Sequence, residues 1–326
     1  MAPFSIASRV TPAAKEGQAS STYSTVADDD WTVVAVPNGG YVLTLVLEAS
    51  IKHQSGTDQP DPLHISAHFL QPTKIKTPTE IQVRVLKAGR NYVNILADLV
   101  QAGRACVTTH IIFGKVPIRS HPIIAPSTGY ARRLPLLLDH PSLLKPTHMP
   151  SAYIFSKHLQ WSEDSVLKKQ NEANHARTPG GGVALWGAWI ELKGESERVT
   201  PSSLAFFADC IHNMATLYPS HVTGIDLSKG LWSPTLTMSL EYKTPIPSPS
   251  DGYASRTVGV YVKSGYLADP QNRHNSIVEI WSAPSNIGEG NVDEDWQGAQ
   301  VCLATGSQMQ LMVDGAVNKK AGRANL

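Results

Sequence analysis

A chain of 326 residues has room for two domains, each with its own buried core. Its 28 basic side chains almost cancel 27 acidic ones, and the densest basic cluster is only Lys74-Ile75-Lys76, which sets nucleic-acid binding aside. No run of 18 apolar residues exists and the N-terminus lacks the apolar core of a secretory signal, so the expectation is a soluble intracellular protein without a membrane span.

In chain order, "SSTYSTVA" at 20–27 reads as an extended lead-in. Residues 39–53, "GGYVLTLVLEASIKH", place Val42, Val46, Leu47 and Ile51 at helical spacing and are apolar nearly all round, which predicts a buried helix. Four alternating segments follow: "LHISAHFLQP", "TEIQVRVLKAG", "YVNILADLVQAG" and "ACVTTHIIFG". Turn signals at Ala88-Gly89 and Ala102-Gly103 make the last three an antiparallel meander. Residues 118–160 are proline-rich and aperiodic, and predict a linker over the surface with one helical turn at "LPLLLDH".

The plan then repeats. "GVALWGAWIEL" is a second lead-in strand, and "TPSSLAFFADCIHNMATLYPS" a second helix, with Thr200 as cap, Pro201 in the first turn and Pro219 as stop. Strands are predicted at "SPTLTMSLEYKTP", "GYASRTVGVYVKSGYLA", "NSIVEIWSA" and "AQVCLATGSQMQLMV", and "PSNIGEGNVDEDWQG" at 284–298 as an exposed loop. In both copies the first strand after the helix ends in an aromatic and then a proline, "HFLQP" against "EYKTP". One helix followed by a curling antiparallel sheet, written twice, is an internal duplication. The implied boundaries are 1–117 for the first copy, 118–178 for the linker, 179–315 for the second copy and 316–326 for a tail.

Cys106, Cys210 and Cys302 lie far apart without a pair motif, so neither a disulfide framework nor zinc is expected, and each reads as a small buried apolar residue. G-x-S-x-G, H-E-x-x-H, the P-loop and G-x-G-x-x-G at a strand-to-helix junction are all missing, which removes the commonest hydrolase, metalloprotease, phosphate-loop and dinucleotide signatures.

The motifs "NGGY", "LHISAHFLQP" and "KAGRNYVNILADLVQAGRACVTTHIIFG" resemble the acyl-CoA thioesterases of the bacterial TesB type and their fungal thioesterase-like relatives, over residues 20–117 and 180–314. The resemblance implies an α+β double hotdog: two tandem copies of a central helix wrapped by a curved antiparallel sheet. It also implies an aspartate, a threonine and a glutamine that hold one water. Asp209 in "LAFFADCIHN", Thr235 in "SPTLTMSLEYKTP" and Gln308 in "LATGSQMQLM" match these positions. Thr237 shares a strand face with Thr235, and Gln310 with Gln308, so a slip of two residues keeps the side and changes the residue.

These residues also make chemical sense by themselves. Asp209 lies among Leu204, Phe206, Phe207, Ala208 and Ile211 with no basic residue within four positions, and burial raises a carboxylate pKa toward the range of a general base. A threonine hydroxyl and a glutamine amide orient a water without activating it. The first turn of the helix at 39 has unpaired N–H groups and a partial positive charge, and its glycines admit close approach, so Gly39, Gly40 and the N–H of Tyr41 are expected as oxyanion and substrate donors. The alternative is a tight turn in which Gly-Gly serves packing.

Asp28, Asp29, Asp30 and Trp31 read as a solvated charge run ahead of this loop, His64, Ser66 and His68 as one polar or inter-sheet face, and His212 as a possible partner of Asp209. The terminal Ala324-Asn325-Leu326 resembles a weak peroxisomal import tripeptide, so the expected address is peroxisomal or cytoplasmic.

The function implied is hydrolysis of acyl-CoA to acid and coenzyme A with no cofactor and no metal. The alternatives are a hotdog enzyme on a polyketide-like or carrier-bound acyl chain (dehydratase, cyclase or release), and an acyl-CoA binding module without turnover. The hydratase stretch G-D-x-N-P-x-H is missing. A homo-oligomer is compatible with either reading.

Overall fold

The computed structural model describes residues 2–16, 19–116, 132–177, 183–212, 214–217, 230–266 and 272–323. The first half contains a short helix α1 (Phe4–Ala7), strands β1 (Thr11–Glu16) and β2 (Ser20–Val26), a small hairpin β3 (Thr32–Val33) and β4 (Val36–Pro37), and the helix α2 (Gly39–Gln54). Strands β5 (Asp61–Phe69), β6 (Pro78–Ala88), β7 (Val93–Gln101) and β8 (Arg104–Gly114) follow. Next come β9 (Leu159–Glu163), α3 (Ser165–Arg177), β10 (Val183–Leu192), α4 (Ser203–Asp209) and α5 (Met214–Leu217). The chain continues with β11 (Leu231–Trp232), β12 (Thr235–Tyr242), β13 (Thr257–Tyr266) and β14 (Arg273–Ser282). It finishes with α6 (Trp296–Ala299), β15 (Cys302–Leu311), β16 (Val313–Asp314) and α7 (Gly315–Arg323).

Twelve strands form one antiparallel sheet in the order β1-β2-β6-β7-β8-β5-β12-β15-β14-β13-β10-β9. Read from its two edges inward, the order is the same plan twice: β2, β6, β7, β8, β5 against β10, β13, β14, β15, β12. The copies meet where β5 pairs β12, with Ser66 opposite Ser239. That junction also carries the predicted histidine face, since His64 Nε2 and Ser239 Oγ are hydrogen-bonded at 2.9 Å. Among the described residues no helix is long and apolar enough to cross a membrane. This is the double hotdog that the resemblance implied.

Period-2 burial explains the wrapping. Val93, Ile95, Ala97 and Leu99 of β7 all turn inward and are at most 5% exposed, against α2, whose Leu43, Leu45, Val46 and Leu47 are fully buried. The helix begins where the side chain of Asn38 accepts from the N–H of Tyr41, a normal N-cap.

Three expectations change. The second helix does not run from 200 to 219: α4 stops at Asp209, and α5 is separate. The Ala208 carbonyl is taken by Gln308 Nε2 at 2.8 Å, and Tyr153 Oη donates to the Ile211 carbonyl at 2.6 Å, so side chains satisfy the carbonyls that another helical turn would use. Residues 134–140 form no helical turn; Leu136 and Leu138 are buried beside Trp189, Ile287 and Trp296 in a small separate core, and a 3₁₀ turn occurs just after, at Pro141–Leu143. The stretch read as a surface linker also supplies β9, whose Leu159 and Trp161 are buried and which pairs with β10 as the outermost strand. Residues 117–131 of that stretch and the terminal tripeptide 324–326 lie outside the described residues.

The aspartate run is not simply solvated. Asp30 is buried and bonds Lys157 and, at 3.0 Å, His158. Burial pushes its pKa up, but the two basic partners win and hold it below the usual value. Trp31 is fully buried between Phe4, Tyr41, Phe155 and Phe206. This clamp ties the loop before α2 to the stretch before β9.

Candidate active site

The two helices approach most closely at the start of α2. A Cβ on Gly40 would lie 2.3 Å from the carbonyl oxygen of Ala205 and 2.7 Å from Asp209 Cβ, so only glycine fits. This contact carries Asp209, from the second half, to the N-terminus of α2, from the first. Its Oδ2 accepts from the Gly40 N–H and from Asn38 Nδ2, both at 2.9 Å, and its Oδ1 accepts from Thr235 Oγ1 at 3.2 Å. Protein packs round the carboxylate while part of its surface stays open to a cavity. Burial pushes its pKa up to about 6, against the opposing pull of the Gly40 peptide, the Thr235 hydroxyl, the Gly39 peptide and Asn38.

The cavity has a volume of about 420 Å³. Its polar end is formed by Asn38, Gly39, Asp209, Thr235 and Gln310. Val33 and Val42 from the first half and Ile211 and Leu236 from the second make apolar walls, with Phe69 and Leu70 from the end of β5. Pro150, Ala152 and Tyr153 close a further side. Both halves and the segment between them therefore build one pocket, in the size range of small-molecule sites.

Asp209 and Thr235 are thus brought together as expected. Gln308 is not at the cavity: its side chain is buried, its Nε2 binds the Ala208 carbonyl, and its Oε1 accepts from Gln310 Nε2 at 2.8 Å. Gln310 lines the cavity instead, and its Nε2 also reaches Thr235 Oγ1 at 3.5 Å. The physical reason is register: Thr235 pairs with Gln310, and a bulge between Thr235 and Thr237 places Gln308 opposite Met238.

The expected oxyanion donors are also already engaged. The Gly40 N–H donates to Asp209 and the Tyr41 N–H to Asn38 Oδ1, so in this state the glycine turn holds a carboxylate. Only Gly39 among the three faces the cavity. Nor does His212 bond Asp209: its Nε2 pairs with Glu163 at 2.8 Å and its Nδ1 with Thr216. Cys106 and Cys210 are buried as expected and Cys302 only partly so; burial, then the Asp209 charge, pushes the Cys210 thiol far up, and burial foremost pushes Cys302 up to about 12.

Tyr153 was not visible in the sequence. Burial foremost, with the charges of Cys210, Asp209 and Glu163, pushes its phenol pKa up, so it stays a proton donor to Ile211 and fixes the turn after Asp209. It comes from an aperiodic proline-rich stretch, where nothing in the pattern singles out one tyrosine.

Known thioesterases resemble this chain in sequence and in fold. Residues 27–114 match the model of the acyl-CoA thioesterase N-terminal domain. The chain is 27% identical over 286 residues to the thioesterase-like protein TwmA of Talaromyces wortmannii, covering 76% of this chain and 81% of that one. Its fold superposes on a candidate thioesterase II from Thermobifida fusca with a TM-score of 0.68 at 18% identity, covering 96% of this chain and 98% of the other. The acyl-CoA thioesterase II TesB2 from Mycobacterium marinum gives 0.55 at 12% identity, covering 90% and 92%. Family and fold support thioester hydrolysis in general. The chain is thus similar to thioesterase-like proteins over most of its length and shares the double-hotdog fold of the TesB-type acyl-CoA thioesterases.

Proposed function

We propose that this protein hydrolyses acyl-CoA thioesters to the free acid and coenzyme A, with one water held by Asp209, Thr235 and Gln310. The observation that carries the reading is a carboxylate with a pKa of about 6 facing a cavity built by both halves. Such a group is ionised at neutral pH yet basic enough to take a proton from water. Gln308, the glutamine expected from the resemblance, becomes the brace that holds Gln310 through its Oε1.

Asp209 removes the water proton as the water oxygen attacks the thioester carbon. The carbon–sulfur bond then breaks, and the proton on Asp209 goes to the departing thiolate. While the carboxylate carries the proton, its hold on the first turn of α2 weakens, so the Gly39 N–H, which faces the cavity, is freed for the negative carbonyl oxygen. Tyr41 stays on Asn38 and keeps the first turn of α2 in shape. The partial positive charge of that helix end thus follows the negative charge from carboxylate to oxyanion. The acyl chain lies against Val42, Phe69, Ile211 and Leu236.

The test is thiol release from acyl-CoAs of graded length by wild type and Asp209→Asn. Wild type is expected to release thiol, and the variant to lose about a hundredfold or more, the usual contribution of a positioned base. Turnover that survives the substitution removes Asp209 as base. Silence on every CoA ester, with product from a carrier-bound chain, moves the substrate to that class; tight binding without release makes the protein a binding module.

A further inference from the structure

Behind Gln310 the second half differs from the first. The inner faces of β7 and β8 are mostly apolar, carrying the fully buried Ile95, Ala97, Val107 and Ile111, with Thr109 and Gln101 as their buried polar residues. The matching part of the second half carries Ser264, Ser276, His274, Gln308 and Gln310, all at most 5% exposed. Within this polar layer Ser264 and Ser276 bond each other at 2.8 Å, and Gln308 is held at both ends. His274 is the exception. It is fully buried, it stands opposite Gln310 in the β14–β15 ladder, and neither ring nitrogen has a hydrogen bond of good geometry.

A buried imidazole without partners is costly and calls for an explanation. Burial lowers its pKa and keeps it neutral, while the Gln310 side chain acts in the opposite direction as its polar neighbour. A neutral ring has one N–H to give. Gln310 already spends its Nε2 on Gln308 Oε1 and Thr235 Oγ1, so its Oε1 is the end left to receive that N–H.

We infer that His274 is a positioning residue, whose ring N–H draws Gln310 Oε1 toward β14 and so keeps the amide nitrogen turned to Thr235 and the water. His274 touches neither water nor substrate in this role; the chain of influence runs His274, Gln310, Thr235, Asp209. The inference rests on the hydrolytic reading above. It adds a residue from the neighbouring strand β14 that neither the sequence motifs nor the family resemblance singled out.

The experiment compares thiol release by wild type, His274→Leu, His274→Asn, His274→Gln and Gln310→Leu, with the pair His274→Leu/Gln310→Leu, each checked for a wild-type melting profile. His274→Leu is expected to lower kcat about ten- to a hundredfold with KM little changed, since a mis-set water costs rate and not substrate binding. An amide donor is expected to restore most of the rate, Asn standing for Nδ1 and Gln for Nε2. In the Gln310→Leu background the His274 change should cost nothing more. A full rate in His274→Leu, a rate equally low in all three His274 variants, or losses that multiply in the pair would each overturn the role while leaving hydrolysis by Asp209 intact. If His274→Leu melts early, the pair of amide variants and the Gln310→Leu background carry the decision. A wild type that releases no thiol from any donor removes the reaction and this role with it.

Discussion

Asp209 is surrounded by groups that pull in opposite directions, and burial wins. An exposed aspartate titrates near 4, whereas this one titrates near 6. Because only the ionised form accepts the water proton, kcat/KM should fall about tenfold per pH unit below about 6 and level off above it. A rate that stays flat down to pH 5 would contradict the assignment. The same shift has a stability side. The folded state binds the Asp209 proton more tightly than the unfolded state, so this group's favourable contribution is full below about 4 and is lost as pH rises through about 6. The gap between 3.8 and about 6 corresponds to at most about 3 kcal/mol of cost at neutral pH. Asp209→Asn should therefore raise the melting temperature at pH 7.5, with the gain shrinking toward pH 4. A lower melting temperature at both pH values would mean that the bonds from Asn38, Gly40 and Thr235 outweigh burial. Asp209 stood out locally as a carboxylate inside an apolar run, whereas Thr235 was reached only through the resemblance, since a threonine on a strand is ordinary. That Gln310 and not Gln308 lines the cavity follows from the bulge after Thr235, a feature of strand pairing that no single strand's sequence records.

At the scale of elements, the site is a consequence of how α2 and α4 cross. The Gly39-Gly40 pair was read from sequence as serving either binding or packing, and the surroundings of the two residues differ. Gly40 has backbone against it, since its Cβ would meet the Ala205 carbonyl at 2.3 Å and Phe206 Cα at 2.9 Å. Gly39 has only side chains: Asp209 Oδ2 at 3.1 Å and the Phe69 ring at 3.4 Å. Gly40→Ala should force the helices apart and lower stability by about 1 to 3 kcal/mol or more. Gly39→Ala should melt near wild type and instead cut turnover, because the carboxylate is the part that gives way. Melting curves beside thiol-release rates separate the two, and equal stability of both variants would show that the helix crossing is not the constraint. Element positions were largely legible, since both halves of the sheet follow period-2 burial and α2 carries its cap at Asn38. The early end of α4 was not, because the apolar pattern runs on to Ile211, and what stops the helix is Gln308, a hundred residues away in sequence.

Over the whole molecule, the two halves share more than a seam. β5 pairs with β12, Asp209 reaches Asn38 and Gly40, the Ser5 hydroxyl donates to Glu197 at 2.6 Å, and Ser202 donates to Glu48. The last pair mirrors the first site: an acid on α2 meets the start of α4, as the acid on α4 meets the start of α2. The copies have diverged at those points, with Ser202 and Ser203 buried where the other copy has glycines. The cavity described lies on the glycine side, which explains why a duplicated fold presents a site built from unlike parts. Separating the halves tests this directly. Residues 1–116 alone would bare the β5 edge and the Gly40 face, and residues 132–326 alone the β12 edge and the Asp209 carboxylate. Exposed strand edges of this length invite self-pairing, so each piece should be inactive and prone to associate, while co-expression should restore thiol release by rejoining β5 to β12. Wild-type turnover by 132–326 alone would show that the first half contributes no part of the catalytic centre, and the shared-cavity account would fall with it.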